Sequence, residues 1–119
     1  MPVLRKLKDA YLLWCEYLIS IPKTKRYSLG QKIDCIFVEA IEAAATAGFL
    51  NRSEKLPYVG RAIQKLDTLK ILLMVLWESK ALDNKKYIAL SLKLDEVGKM
   101  LGGWRGQLLK NSPKYSGEK

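Results

Sequence analysis

A chain of 119 residues is long enough for one domain with its own hydrophobic core and too short for two. Hydrophobic residues make up 49% and charged residues 28% of the chain, a balance that excludes an intrinsically disordered protein. The net charge of +9 favours a polyanionic partner such as nucleic acid, although a merely soluble basic protein is the alternative on charge alone.

Apolar residues recur at spacings of three and four positions in four successive segments, which is the period of a helix buried on one face. No segment alternates with a period of two for long enough to predict a strand. The first helical segment covers residues 4–21, and Pro22 ends it because proline cannot continue a helix.

The second helix follows a polar loop predicted over residues 23–27. Ser28 and Gln31 have the spacing of a capping box, in which the hydroxyl accepts from a backbone amide while the glutamine side chain reaches back. The apolar positions of this helix cover residues 29–47, and Gly48 indicates its end.

The third and fourth helices are the longest apolar segments. The third covers residues 59–76 and begins at Ser53 or Pro57, because proline is tolerated only near the first turn. The fourth covers residues 87–108, and Asp83 is expected to cap its N-terminus.

Short connections between sequential helices place those helices antiparallel. We therefore predict an all-α fold, an antiparallel up-down-up-down four-helix bundle formed by residues 1–112. Pro113 ends the last helix, and residues 113–119 are expected to form a flexible basic tail.

The third helix has more apolar surface than a single bundle can bury. Residues 71–77 are all apolar over nearly two turns, so every direction around the helix is hydrophobic. Self-association would cover the outward half, with an interface formed by Ile71, Leu72, Met74, Val75 and Trp77. A tolerated apolar patch on a monomer is the alternative.

Residues that carry catalytic chemistry are scarce. The chain contains no histidine, which removes the usual general base and most zinc sites. Glu39 and Glu42 share one helix face, a pattern typical of a solvated acidic surface. We therefore predict that the protein is not an enzyme and uses no metal and no cofactor.

The cysteines and the apolar segments predict a cellular location. Cys15 and Cys35 lie inside helical patterns and are expected to be buried thiols in a reducing cytoplasm. Charged residues interrupt residues 1–21, so no signal peptide is visible, and residues 71–77 are too few to span a bilayer. These features predict a cytoplasmic protein without a membrane partner.

The densest basic cluster lies just before the predicted second helix. Lys23, Lys25 and Arg26 precede a helix N-terminus, where free amides and the helix dipole favour an anion. Tyr27 either stacks on a base, as aromatic residues do in single-strand sites, or caps the hydrophobic core.

Further cations on the third helix are candidates for phosphate contacts. Arg61 and Lys65 share a face at a spacing of four, and Lys70 lies among apolar residues, where a charge is unusual without a purpose. A symmetric ring of subunits would repeat each cation around one axis and give salt-sensitive binding without sequence specificity.

The fourth helix combines charge with unusual glycines. Asp95 is expected to pair with Lys99 at a spacing of four. Gly98 and Gly102 form a G-x-x-x-G motif, which allows close approach of another helix. Each glycine inside a helix destabilises it by about 1 kcal/mol, so close packing against a helix or a loop is expected to offset this loss at Gly102 and Gly103.

Three motifs resemble those of a known family. They are KRYSLGQ at residues 25–31, LDTLK at residues 66–70 and EVGKMLGGW at residues 96–104. The resemblance, over about residues 5–110, is to the four-helix-bundle family of accessory variability determinant proteins of diversity-generating retroelements and proteins encoded by 23S ribosomal RNA intervening sequences. The ending GKMLGGW is the most specific motif and points to the accessory-protein branch.

The resemblance implies a homopentamer of bundles, shaped like a barrel with a basic surface. Such an assembly would bind the retroelement's reverse transcriptase and its template RNA, or an RNA/DNA hybrid, and support mutagenic reverse transcription without active-site chemistry. By motif position it implies a structural role for Trp104 and nucleic-acid or partner contacts by Lys25, Arg26, Lys70, Lys99 and Arg105. The alternative is a protein–protein interaction module of the intervening-sequence type with no direct role in nucleic-acid binding.

Overall fold

The computed structural model describes residues 1–110, so the predicted tail at residues 113–119 lies outside the described residues. Within the described part there are four long helices and no strand. Their bounds are Pro2–Leu18 for α1, Gln31–Phe49 for α2, Arg52–Glu78 for α3 and Asn84–Lys110 for α4.

The helices form an elongated antiparallel bundle of 52 × 22 × 22 Å. Each helix packs against the next one in the chain, and α4 packs back against α1. The antiparallel order is visible where Trp14, near the end of α1, donates to Asp34, near the start of α2. The predicted all-α four-helix bundle is therefore confirmed, whereas the predicted homopentamer stays a prediction.

The core is apolar throughout the described residues, with no buried polar or charged side chain. Two aromatic residues are its largest members: the ring centroids of Trp14 and Phe37 are 6.3 Å apart, and their planes are stacked between α1 and α2. Each fully buried aliphatic or aromatic side chain contributes roughly 1.5–3 kcal/mol, so this continuous core is the main source of stability.

The connection between α1 and α2 differs from the prediction, because most of it is helical rather than a polar loop. Lys23–Lys25 form one α-helical turn, and Arg26–Gly30 form a π-helical turn that runs directly into α2. The helical path begins at Pro22, whose carbonyl accepts from the amides of Lys25 at 2.9 Å and Arg26 at 2.8 Å.

The predicted capping box is therefore wrong. Ser28 lies inside the helical path, and its hydroxyl donates to the carbonyl of Thr24 at 3.0 Å instead of accepting from a free amide. The physical reason is that Pro22 already starts the helix one and a half turns earlier, with its backbone angle preset by the pyrrolidine ring. No helix N-terminus is left at Ser28 to be capped.

The other helix boundaries lie close to those predicted. The Asp83 carboxylate accepts from the Lys86 amide at 2.8 Å, which confirms it as the cap of α4. Helix α3 begins at Arg52, next to the predicted Ser53, and Pro57 falls in its second turn. Helix α1 ends at Leu18, three residues before the predicted end at Ile21.

The prediction that both thiols are buried is wrong for Cys35. Cys15 is half-buried, but Cys35 is exposed to solvent. The buried face of α2 includes Ile33 and Ile36, and a residue between these two positions points away from that face. The spacing of apolar residues predicts the helix correctly. Cys35 lies on the face of that helix opposite the buried positions and is therefore outside the core.

Candidate nucleic-acid interface

The basic residues predicted to contact nucleic acid do not form one cluster within a subunit. They occupy three regions: the end of the bundle where α1 meets α2, the groove between α2 and α3, and helix α4 with the adjoining edge of α3. These regions contain, respectively, Lys23, Lys25 and Arg26; Arg61 and Lys65; and Lys70, Lys99 and Arg105.

At the α1–α2 end, Arg26 holds the backbone together. Its guanidinium donates to the carbonyl of Ile19 at 2.8 Å and to the carbonyl of Ile21 at 3.0 and 3.2 Å. These carbonyls follow the end of α1 and have no further helical turn to bond them. The geometry therefore gives Arg26 a positioning role, whereas Lys23 is exposed.

In the groove between α2 and α3, the two predicted contacts already have partners. Lys65 forms an ion pair of 2.9 Å with Glu39, and the Arg61 guanidinium lies 5.6 Å from the centre of the Tyr58 ring. The hydrogen bond from Lys65 and its positive charge hold the pKa of the exposed Glu39 carboxyl below its usual value. This groove of about 620 Å³ thus has mixed charge and is a weaker anion site than a purely basic surface.

Lys70 is half-buried and pairs across the bundle with Asp95 at 3.2 Å. The predicted pair of Asp95 with Lys99 is therefore wrong, because the neighbouring helix supplies a closer cation. Gly98 makes room for this contact: a Cβ at that position would lie 3.4 Å from Lys70 Nζ. Lys99 itself is exposed.

The prediction that Gly102 and Gly103 pack closely against another segment is wrong for the described subunit. A Cβ added at Gly102 or Gly103 would meet nothing within 4 Å, so neither residue packs closely against a helix or loop of the described subunit. Gly98 therefore lies against α3, whereas Gly102 and Gly103 are exposed.

Tyr27 does not cap the core. Its side chain is 67% exposed on the π-helical turn, although the residues on both sides of it are hydrogen-bonded to the backbone. Of the two roles considered for Tyr27, the structural one is therefore excluded.

The predicted oligomer interface divides into exposed and packed residues. Ile71, at 57% exposure, Met74 and Val75 face solvent. Leu72 packs against the core, and Trp77 stacks on the Tyr87 ring at a centroid distance of 4.8 Å, so both are partly used within the subunit. The interface itself stays a prediction.

Two exposed residues of α4 extend this surface, and the sequence reasoning missed them. Ile88 and Leu92 are 56% and 65% exposed, and their spacing of four places them on one side of α4. They lie between two α3–α4 contacts, the Trp77–Tyr87 stack and the Lys70–Asp95 ion pair, at the same level as the exposed residues of α3. We call the combined surface the α3–α4 patch; it consists of Ile71, Met74, Val75, Ile88 and Leu92.

Further exposed cations lie near the α1–α2 end of the bundle. Lys32 lies at the start of α2, and Lys80 and Lys85 lie around the α3–α4 connection at the same end of the bundle. Lys86 joins the two parts of this end, because its ammonium donates to the Ser20 hydroxyl at 2.9 Å.

Residues 1–110 contain neither a cluster of possible metal ligands nor a membrane-spanning helix. No group of three or more possible metal-ligating side chains occurs there. None of the helices in this part of the chain is long and apolar enough to cross a membrane.

The protein is a small basic helical bundle. Its exposed cations at one end and the α3–α4 patch on one side are surfaces suited to binding, and they indicate a binding protein. Residues 3–108 match the bAvd-like family, and the chain belongs to this family of accessory variability determinants. The family resemblance inferred from the three motifs is thereby confirmed. No curated protein matches the chain.

Proposed function

We propose that this protein is a non-enzymatic accessory factor of a diversity-generating retroelement. In this role it binds template RNA, or an RNA/DNA hybrid, together with the reverse transcriptase in the cytoplasm, and supports mutagenic reverse transcription. The observation that carries the proposal is membership of the bAvd-like family across almost the whole described bundle.

The charge distribution supports a role in RNA binding. The chain has a net charge of +9, and among the described residues three ion pairs form, at Lys6–Glu96, Lys65–Glu39 and Lys70–Asp95. Most of the other cations are therefore available to replace the counterions of a phosphate backbone.

The α3–α4 patch supports the proposed self-association into a homo-oligomer, with a pentamer as the expected state. Exposed aliphatic side chains on two adjacent helices favour burial against another surface, and a second copy of the chain would supply it. In a pentameric ring the contacts are heterologous, so the patch of one subunit would lie against a different face of the next. Assembly would multiply each exposed cation, which would strengthen RNA binding without sequence-specific contacts.

The test is RNA binding measured by fluorescence anisotropy over a series of salt concentrations. If the assembly contacts roughly six to ten phosphates, the affinity should fall by about 10³–10⁵ between roughly 50 and 200 mM salt. Absence of binding to any structured RNA in dilute buffer would contradict the proposal.

The second candidate is a protein–protein interaction module without a role in nucleic-acid binding, and the α3–α4 patch is the observation that favours it. The same experiment separates the two. A module of this kind would associate through the patch, and its purified form would carry no nucleic acid as judged by the ratio of absorbance at 260 and 280 nm.

A further inference from the structure

We propose that the exposed surface around Tyr27, with Lys23 before it and Lys32 after it, is a single-strand site in which an unpaired base stacks on the Tyr27 ring. This surface is called the Tyr27 site below. The inference rests on the proposed function and deepens it, because it names the form of nucleic acid that is bound.

The Tyr27 ring lies on the outside of the bundle. A tyrosine that is 67% exposed leaves most of its apolar ring in water, an unfavourable position that a short helical shift toward the core would avoid. Hydrogen bonds from the two neighbouring side chains oppose that shift. Arg26 on one side is bonded to the carbonyls of Ile19 and Ile21, and Ser28 on the other side is bonded to the carbonyl of Thr24.

The backbone at Tyr27 is therefore ordered by its neighbours, and the ring lies outside the bundle. Because this segment is already ordered, stacking of a planar group costs only the rotamer freedom of the ring, which favours binding. Every nucleobase has a π face, so stacking of this kind tolerates any sequence.

Exposed cations precede and follow Tyr27 along the chain. Lys23 lies one helical turn before Tyr27, Lys32 lies just over one turn after it, and both are exposed. Cations on both sides of an aromatic ring suit a strand whose base covers the ring while its phosphates continue in both directions.

No acidic residue interrupts this charge along the chain. Residues 17–33 contain no Asp or Glu, and they include Lys23, Lys25, Arg26 and Lys32. The next carboxylate, Asp34, accepts a hydrogen bond from the Trp14 indole on the side of α2 that faces α1. None of the ion pairs among residues 1–110 involves a cation of this segment.

Stacking on Tyr27 favours a single strand over a duplex. Inside a duplex both faces of each base are covered by neighbouring bases, so a ring on the outside of the helix can reach only the backbone there. A ring that is used for stacking therefore discriminates in favour of unpaired nucleotides, whereas lysines alone bind both forms.

The experiment compares wild-type protein with Tyr27→Ala and Tyr27→Phe, using a labelled oligouridine and a blunt RNA duplex of equal length at one low salt concentration. Tyr27→Ala should weaken oligouridine binding about tenfold or more and leave duplex binding almost unchanged, because one base–aromatic stack is lost. Tyr27→Phe keeps the ring and should bind oligouridine like the wild type.

Phe49→Ala is the matched control, because Phe49 is the other highly exposed aromatic residue among residues 1–110 and lies at the opposite end of the bundle, as the last residue of α2. Its removal should not change oligouridine binding. Lys23→Ala combined with Lys32→Ala should reduce the salt dependence by about the two phosphate contacts removed. Circular dichroism checks that every variant keeps its helices.

The outcomes separate the two proposals. If the wild type binds neither RNA, the proposed function and the Tyr27 site both fail. If the wild type binds RNA but Tyr27→Ala binds oligouridine equally well, the site is wrong and the proposed function stands. If Tyr27→Phe is as weak as Tyr27→Ala, the hydroxyl rather than the ring makes the contact, and stacking is refuted.

Discussion

A cation that binds RNA and a cation that holds the fold together look alike in a sequence, and Arg26 shows how they differ in a structure. Its guanidinium is half-buried and bonds two carbonyls beyond the end of α1, whereas the nearby Lys23 is exposed. Charge-assisted hydrogen bonds of this kind contribute more than neutral ones, and their loss leaves carbonyls unpaired.

We therefore expect Arg26→Ala to lower the free energy of unfolding by about 1–2 kcal/mol, since the bonded carbonyls are only partly shielded from water. Lys23→Ala is the matched control and should change the stability by less than about 0.5 kcal/mol. Urea denaturation followed by circular dichroism measures both. Equal stability of the two variants would show that Arg26 does not hold the connection between α1 and α2.

The roles of individual charged residues were the least predictable part of the site. Lys70 was identified correctly as unusual, but its partner Asp95 is on another helix, and sequence spacing alone favoured Lys99. Pairing rules within one helix use only the local spacing, whereas a partner across the bundle depends on how the helices pack. The exposure of Tyr27 could not be predicted for the same reason.

At the scale of helices, two glycines of α4 differ in how closely they are packed: Gly98 lies against α3, and Gly103 has open space beside it. A Cβ at Gly98 would lie 3.3 Å from Leu66 Cδ2 and 3.4 Å from Lys70 Nζ, a tight fit against α3. A Cβ at Gly103 would meet nothing within 4 Å. The same substitution is therefore expected to stabilise the protein at Gly103 but not at Gly98.

Gly103→Ala should raise the free energy of unfolding by roughly 0.5–1 kcal/mol, because alanine restricts the unfolded chain and favours the helix. Gly98→Ala should give no such gain, since the new methyl group displaces Leu66 or Lys70. Thermal unfolding of both variants in dilute solution tests the pair. A loss of stability in Gly103→Ala would show that another surface packs against this side of α4.

The helices themselves were largely predictable, because periodicity reports burial on one face directly. The four segments, the antiparallel order and the Asp83 cap all followed from apolar spacing and short connections. The errors occurred between α1 and α2. There Ser28 and Gln31 had a capping spacing, but Pro22 had already begun the helix, and a local motif does not reveal an earlier start.

At the scale of the whole molecule, net charge and exposed apolar surface have opposite effects on self-association. A net charge of +9 on each subunit repels other subunits, so any assembly needs apolar contact to offset that repulsion. The α3–α4 patch contains exposed aliphatic residues of two adjacent helices. If this patch joins the subunits, salt should have opposite effects on assembly and on RNA binding.

We expect added salt to strengthen self-association by screening the repulsion between subunits, while the same salt weakens RNA binding by competing for the phosphates. Ile71→Lys combined with Ile88→Lys should shift the protein to a monomer, because it places charge on both helices of the patch. Leu12→Lys on α1 is the matched control, since Leu12 is also exposed but lies outside the patch. Sedimentation velocity at two salt concentrations measures the mass of each variant. A wild type that stays monomeric at both would refute self-association, and dissociation by salt would assign the interface to ion pairs instead of the patch.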